Sequence, residues 1–134
     1  MAELRLALAH PLDAEHAPAF AADIVAEAAT QGIELDYSPE SLEYFDSVLE
    51  SLRASGVTVE QVAEVLLGIG TYLGEVIARA DGGAWVASAG TPLETSAPLP
   101  IVLALPSGAY VDPASQPFAA LRDGTSLVGF HRSI

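Results

Sequence analysis

The chain has 134 residues, of which 51% are hydrophobic, and 18 acidic residues against five arginines and no lysine give a net charge of −13 at pH 7. This charge repels nucleic-acid phosphates and anionic lipid surfaces, so we predict no nucleic-acid partner and no membrane partner. Because the chain has no cysteine, disulfides and thiolate metal sites are excluded.

The length fits one domain with its own core, so residues 1–134 are predicted to form a single domain. The chain starts with an acid before its first arginine, a short apolar run and an early proline, which is a poor signal peptide. A cytoplasmic location is therefore expected. The acidic composition also has a simpler explanation, which is solubility or the usage of a GC-rich genome.

The first predicted helix lies near the N-terminus. Before it, residues 4–8 alternate leucine with arginine or alanine, which suits either a short strand or a frayed helical turn. Asp13 is the predicted cap of a helix that runs to about Thr30 and stops at Gly32. The predicted buried face of this helix is Ala17, Phe20, Ile24 and Ala28.

A second helix is predicted to open with Ser38 as cap and Pro39 at the first helical position, and to end at Gly56. Its predicted buried face is Leu42, Phe45, Leu49 and Leu52. Its outer face holds the acids Glu40, Glu43, Asp46 and Glu50. The simplest interpretation of this acidic row is a solvated helix face.

The segment from Thr58 to Ala80 predicts the central helix. Thr58 and Gln61 have the spacing of a capping box, which satisfies two backbone donors of the first turn. Glu75 and Arg79 are spaced to pair across one turn. The apolar face is wide and comprises Val62, Val65, Leu66, Ile69, Tyr72, Leu73, Val76 and Ile77. Its charges argue against a transmembrane helix.

Gly68, Gly70 and Gly74 lie inside this helix, where each glycine costs roughly 1 kcal/mol relative to alanine. One explanation is close approach of a packed element to a surface without side chains. The other is that the glycines open a groove or kink beside Glu75, which leaves a partly buried carboxylate next to a cavity.

After Gly82 and Gly83 the composition changes to that of a small sheet. Residues 84–88 predict a strand, and residues 100–105 and 109–112 flank a turn signal at 106–108 that predicts a hairpin. A helical turn is predicted around 118–121 and a further one from Thr125. The order of elements predicts an α+β fold with about three N-terminal helices packed on a small antiparallel sheet of about three strands, with a short C-terminal helix.

Three segments carry a family resemblance: residues 37–42 (YSPESL), 67–76 (LGIGTYLGEV) and 82–86 (GGAWV). They resemble an uncharacterised actinobacterial domain-of-unknown-function family, in which a serine-leucine helix precedes an LGxYLGEV helix and a glycine-x-tryptophan strand. Residues 124–127 (GTSL) and Phe130 are similar to its closing motif, so the likeness covers about residues 35–131. The resemblance implies a small α+β domain and implies no activity.

Motifs that would carry chemistry are weak. His10, Asp13 and His16 are spaced by threes, but Pro11 separates His10 from the helix, so structural or solvated histidines are the better interpretation. His131 has no partner that would complete a catalytic triad. The glycines of the central helix do not form a phosphate loop. We therefore predict no metal, no cofactor and no catalytic residue.

The charge and the missing catalytic groups favour a non-enzymatic protein-interaction module, similar in kind to an inhibitor or immunity protein that binds a basic partner. Glu43, Asp46 and Glu50 are its predicted contact surface. Neutralising these three acids together should weaken partner capture without much loss of thermal stability.

Two alternatives come from other classes. The first is a small-ligand binding domain or enzyme with a pocket lined by Tyr72, Glu75 and Trp85, in which a ligand would stabilise the fold. The second is a homodimer, in which a second subunit completes the wide apolar face of the central helix.

Overall fold

A computed structural model describes residues 10–134 and contains three helices before a three-stranded sheet and two short helices after it. The predicted α+β fold is confirmed, including the short C-terminal helix. The residues of the strand or turn predicted at 4–8 lie outside the described residues. The elements in chain order are α1 (Ala17–Thr30), a 3-10 turn (Pro39–Ser41), α2 (Leu42–Ser55), α3 (Val59–Asp81), β1 (Ala84–Ala87), β2 (Ile101–Ala104), β3 (Tyr110–Val111), α4 (Gln116–Asp123) and α5 (Leu127–Arg132).

The central helix α3 begins with the predicted capping box: the Gln61 amide donates to Thr58 Oγ1 at 3.3 Å and the Thr58 amide donates to Gln61 Oε1 at 2.9 Å. Every residue from Leu66 to Gly74 is buried. By length and composition α3 would suit a membrane span, but 67% of its apolar window of 18 residues is buried inside the fold. It is therefore typical of the core helix of a soluble protein.

One predicted member of the apolar face of α3 is exposed and not buried. Val65 is 43% exposed, although its spacing places it beside Leu66 and Ile69. The wide face is completed on its other flanks by α1, α2, α4 and the sheet, so Val65 stands at an edge that no element of residues 10–134 covers.

The glycines of α3 lie where other parts of the chain approach the helix. A Cβ at Gly68 would lie 3.2 Å from Ile24 Cβ of α1, and a Cβ at Gly70 would lie 2.8 Å from the Cα of Ala114. At Gly74 the indole ring of Trp85 occupies the space of a side chain. Close approach is therefore the correct explanation of the glycines. The alternative, a groove beside Glu75, has no support at Gly74, because the Trp85 ring lies there.

The first two helices follow the predicted signals with one shift. α1 begins at Ala17 rather than directly after Asp13, because Asp13 heads a turn: its Oδ1 accepts from the His16 amide at 2.9 Å and its carbonyl from the Ala17 amide at 3.1 Å. Before α2, Ser38 Oγ accepts from the Ser41 amide at 3.3 Å and caps a 3-10 turn. The chain leaves α2 at Gly56, whose φ is +76°.

The sheet has the strand order β1-β2-β3 and both pairs are antiparallel. Trp85 pairs with Leu103, which in turn pairs with Val111. The predicted hairpin between β2 and β3 is present, and Gly108 in its turn has a φ of +91°. The sheet places Trp85 against α3, which determines the surroundings of Glu75.

Candidate functional site

Glu75, the carboxylate of the expected pocket, is held by two side chains. Its Oε2 accepts from Trp85 Nε1 at 3.1 Å and its Oε1 accepts from Arg79 Nη1 at 3.1 Å. Only 15% of the Glu75 side chain is exposed. Both oxygens are thus engaged, and the carboxylate links α3 to β1.

Tyr72 belongs to the same network and is fully buried. Its hydroxyl accepts from the Tyr37 amide at 2.8 Å and lies 2.6 Å from Ser41 Oγ. Since Ser41 Oγ donates its proton to the Ser38 carbonyl, Tyr72 is the donor to Ser41. Burial raises the pKa of the Tyr72 hydroxyl above its ordinary value.

A stack of side chains joins the two ends of this network. The Tyr37 ring stacks on Tyr72 with 4.8 Å between centroids, and the Arg79 guanidinium lies 3.7 Å from the Tyr37 ring centroid. Tyr37 has a φ of +60°, in the left-handed region that non-glycine residues seldom adopt. No residue pattern in the sequence predicted this conformation. The structure thus brings Tyr72, Glu75 and Trp85 into one network that ties elements together, with the Trp85 ring in place of the expected pocket.

The acidic row of α2 is interrupted by α5. Asp46 Oδ1 accepts from the Leu127 amide at 2.7 Å, and its Oδ2 accepts from Ser126 Oγ at 2.8 Å and from the Val128 amide at 3.3 Å. These amides belong to the first turn of α5, whose donors have no partner within the helix. Glu43 and Glu50 remain exposed on either side. The expectation of a continuous solvated row therefore needs correction at Asp46, which holds α5 onto α2.

Asp46→Ala should consequently lower the free energy of unfolding by about 2 kcal/mol, because it removes a carboxylate that satisfies three donors of α5. Glu43→Ala and Glu50→Ala, one turn away on the same helix, are expected to change it by less than about 0.5 kcal/mol. Urea denaturation monitored by circular dichroism measures all three variants. Equal losses for Asp46→Ala and the two controls would contradict the capping role.

The histidines are paired with acids one by one. His10 Nε2 lies 2.7 Å from Asp23 Oδ2, and His16 Nδ1 lies 2.7 Å from Asp13 Oδ1. The hydrogen bond with His16 lowers the pKa of Asp13. Ligand atoms of Asp13, Glu15 and His16 lie within 4.8 Å of one another at the surface. His10, Asp13 and His16 thus do not share one helix face. Within residues 10–134, Asp13, Glu15 and His16 of this turn are the only group of three or more side chains close enough together to hold a metal ion.

His131, which had no identifiable partner in the sequence, lies 3.4 Å from Asp81 Oδ2 at the end of α3. These residues are separated by the whole sheet and α4, so sequence spacing carried no signal for their approach. No hydroxyl or thiol nucleophile is bonded to His131 among the described residues. The arrangement does not form a triad.

A groove between α1 and α3 combines an open apolar floor with acidic edges. Its first hollow, of about 320 Å³, has Phe20, Ile24, Val65 and Gly68 as its floor. The acids at its rim are Asp23, Glu27 and Glu64. Since Gly68 has no side chain, α1 lies close to α3 and the floor between them stays shallow. We call this feature the α1–α3 groove.

The groove continues into a second hollow of about 260 Å³ that shares Ile24, Glu27 and Val65 with the first. Tyr44 and Val48 of α2 form its far wall. Along α1 the lining positions run from Phe20 to Gln31 at helical spacing. At 1.5 Å per residue this run is about 16 Å long, or three helical turns.

The charges of the α1–α3 groove are mostly unneutralised. Glu27 and Glu64 are exposed, and neither forms an ion pair within residues 10–134. Asp23 has His10 as its neighbour. An apolar strip between carboxylates is what a basic amphipathic segment would complement. The sequence places Glu64 and Val65 on α3, but it does not show that α1 packs beside them and adds Ile24 and Glu27 to the same surface.

Comparison of the chain with protein-family models, with curated proteins and with solved structures yields no match. The class that the fold and the groove define is a small acidic α+β domain with an apolar, acid-rimmed surface.

Proposed function

We propose that this protein is a non-enzymatic, cytoplasmic interaction module that binds a basic partner protein, with the α1–α3 groove as its contact surface. The occupant of the groove is an amphipathic helix of the partner, with its apolar residues toward Ile24 and Val65. Arginine and lysine side chains of that helix meet Glu27 and Glu64. Membership of the uncharacterised actinobacterial family is part of this proposal, as is the likeness in kind to an inhibitor or immunity protein.

The observation that carries the proposal is Val65, an aliphatic side chain 43% exposed between two acidic edges. Ile24, Tyr44 and Val48 are half-buried and extend the exposed apolar surface around Val65, whereas Phe20 and Ala28 of the same lining are buried. The length of the groove matches helix-in-groove recognition, in which anchors recur at i, i+3, i+4 and i+7. The net charge of −13 then raises the rate at which a basic partner arrives.

Glu43 and Glu50, which the sequence suggested as direct contacts, have a different part in this proposal. Both lie on the side of α2 that carries α5, whereas Tyr44 and Val48 line the groove. Glu43 and Glu50 contribute to the negative electrostatic field of the protein and do not contact the partner. Asp46 binds the first turn of α5 and is therefore not part of the proposed contact surface.

A charge-matched pair of variants tests this assignment. Glu27→Gln with Glu64→Gln removes two charges at the groove, and Glu43→Gln with Glu50→Gln removes two elsewhere. The probe is a fluorescent amphipathic peptide of leucine and lysine, with a scrambled peptide of the same composition as control. We expect the groove pair to raise the Kd by about tenfold and the matched pair by about twofold, measured by fluorescence anisotropy at low salt.

Val65→Lys places a positive charge on the floor of the groove, which repels the lysines of the amphipathic peptide and removes an apolar contact. It should abolish binding of that peptide and leave the melting temperature unchanged, since Val65 is exposed. Equal weakening by the two charge-neutralised pairs would show that only the general field attracts the peptide. Equal affinity for the scrambled peptide would contradict recognition by the groove. The wild-type chain and Val65→Lys then serve as paired baits for the native partner at low and high salt.

The homodimer stays a prediction with a separate test. A second copy in the groove would bring together two chains of charge −13, which mutual repulsion opposes. Sedimentation at several protein concentrations measures the oligomeric state. A dimer that Val65→Lys dissociates would replace the basic partner as occupant of the groove.

A further inference from the structure

A cavity of about 660 Å³ lies between α4, the start of α3 and the loop that leads into β2. It shares no residue with the α1–α3 groove. Val59, Pro98 and Leu99 form one wall. Its volume is in the range of pockets that bury a small organic molecule.

The opposite wall is one face of α4 and the residue before it. Ser115, Phe118, Ala119 and Arg122 line the cavity at positions i, i+3, i+4 and i+7. Ser115 and Arg122 are seven positions apart, so about 10 Å of helix separates the two polar ends. Phe118 and Ala119 make the middle of the wall apolar.

The end of the cavity at Ser115 offers a carboxylate. Asp112 Oδ2 accepts from Ser115 Oγ, and its Oδ1 accepts from the Ser115 amide at 3.3 Å. Burial raises the pKa of the Asp112 carboxyl. Each carboxylate oxygen has a second acceptor site beyond these bonds, so Asp112 has capacity for a further donor.

The other end offers a cation. Arg122 Nε lies 3.0 Å from Asp123 Oδ2, and 69% of the Arg122 side chain is exposed at the rim. Its remaining guanidinium donors are suited to a carboxylate. The two ends of the cavity are therefore opposite in charge and separated by an apolar wall.

We propose that this cavity binds a small ω-amino carboxylate: its carboxylate at Arg122, its apolar chain over Phe118 and Ala119, and its ammonium at Asp112 and Ser115. A zwitterion suits the site better than a simple acid, because a protein of net charge −13 repels a net anion. The proposal is independent of the proposed partner, and the ligand site differs from the alternative pocket because Tyr72, Glu75 and Trp85 do not line it.

The test is an NMR titration of the uniformly ¹⁵N-labelled full chain with ω-aminooctanoate, with octanoate and octylamine as controls. We expect saturable amide shifts confined to Val59 and to residues 96–99 and 112–122, and affinities for each control at least about tenfold weaker. Ala119→Leu fills the cavity from a helix position without removing a hydrogen bond. It should abolish the shifts while the protein stays folded.

Arg122→Gln should reduce the affinity for ω-aminooctanoate by about tenfold and leave that for octylamine unchanged, because only the carboxylate end loses its partner. Shifts that persist in Ala119→Leu, or the absence of saturable shifts in the wild-type chain, would overturn the proposal. So would equal affinity for octylamine and ω-aminooctanoate. None of these outcomes bears on the peptide experiment, since the two sites share no residue.

Discussion

Gly70→Ala should lower the free energy of unfolding by about 3 kcal/mol, a fall in Tm of roughly 10 °C. An alanine in a helix interior normally gains about 1 kcal/mol over glycine. Here the added Cβ would lie 2.8 Å from the Cα and the carbonyl carbon of Ala114, closer than real Cβ contacts allow. Since the obstacle is backbone and not a flexible side chain, α3 and the segment before α4 must separate.

Two other helix glycines provide graded controls for this substitution. A Cβ at Gly129 in α5 would meet Ser126 Cβ at 3.6 Å, which is ordinary contact, so Gly129→Ala should be neutral or stabilising by up to about 1 kcal/mol. Gly68→Ala should cost an intermediate amount, because its Cβ would lie 3.1 Å from Ile24 Cδ1, the end of a flexible side chain, and 3.2 Å from Ile24 Cβ, which is fixed to the backbone. Urea denaturation of the three variants measures the order. A neutral Gly70→Ala would contradict the close packing of Ala114 on α3.

Trp85→Ala is expected to cost about 3 kcal/mol, since it removes a large ring from the surface of α3 and leaves Glu75 without its indole donor. Gly74→Ala should cost about 2 kcal/mol, because the new Cβ would overlap the Trp85 ring. The two losses should not add. In the absence of the ring, the alanine at 74 fills part of the void and recovers helix propensity of up to about 1 kcal/mol.

A double-mutant cycle on Gly74 and Trp85 measures this coupling, for which we expect an interaction energy of about 3 kcal/mol. Trp85→Phe loses both the N–H donor to Glu75 and the indole carbons that lie on Gly74, so its coupling to Gly74→Ala should be much smaller than that of wild-type Trp85. Strictly additive losses would show that the ring does not sit on Gly74. Binding of a ligand in the void of Trp85→Ala would reveal the pocket that the wild-type ring occupies.

The helix ends could be predicted because their causes lie within a few residues. Thr58 and Gln61 satisfy each other's backbone donors at the start of α3, and Gly56 leaves α2 with a positive φ that glycine adopts without strain. The same holds for the hairpin at Gly108. Such signals need no partner from another part of the chain, and they were enough to predict the α+β class.

The hydrogen-bond partners of polar side chains could not be predicted from the spacing of residues in the sequence. Asp46 has the same helical position as a solvated acid, and only the docking of α5, from residues 81 positions later in the chain, makes it a cap. Trp85 meets Gly74 because its ring, carried by β1, reaches the surface of α3. The Asp112 and Ser115 pair and the cavity beside it were likewise not foreseen, because the wall opposite α4 comes from two other segments.

What residue order alone specified about this protein is therefore its acidic charge, the end of α2, the start of α3 and the existence of a wide apolar face on α3. Periodicity shows that a face is buried but not which element covers it or where the cover ends. The tertiary structure decided that α1 approaches over Gly68, that Val65 remains uncovered, and that the groove and the α4 cavity lie apart. Those outcomes depend on packing among segments distant in sequence, which is a property of the assembled core.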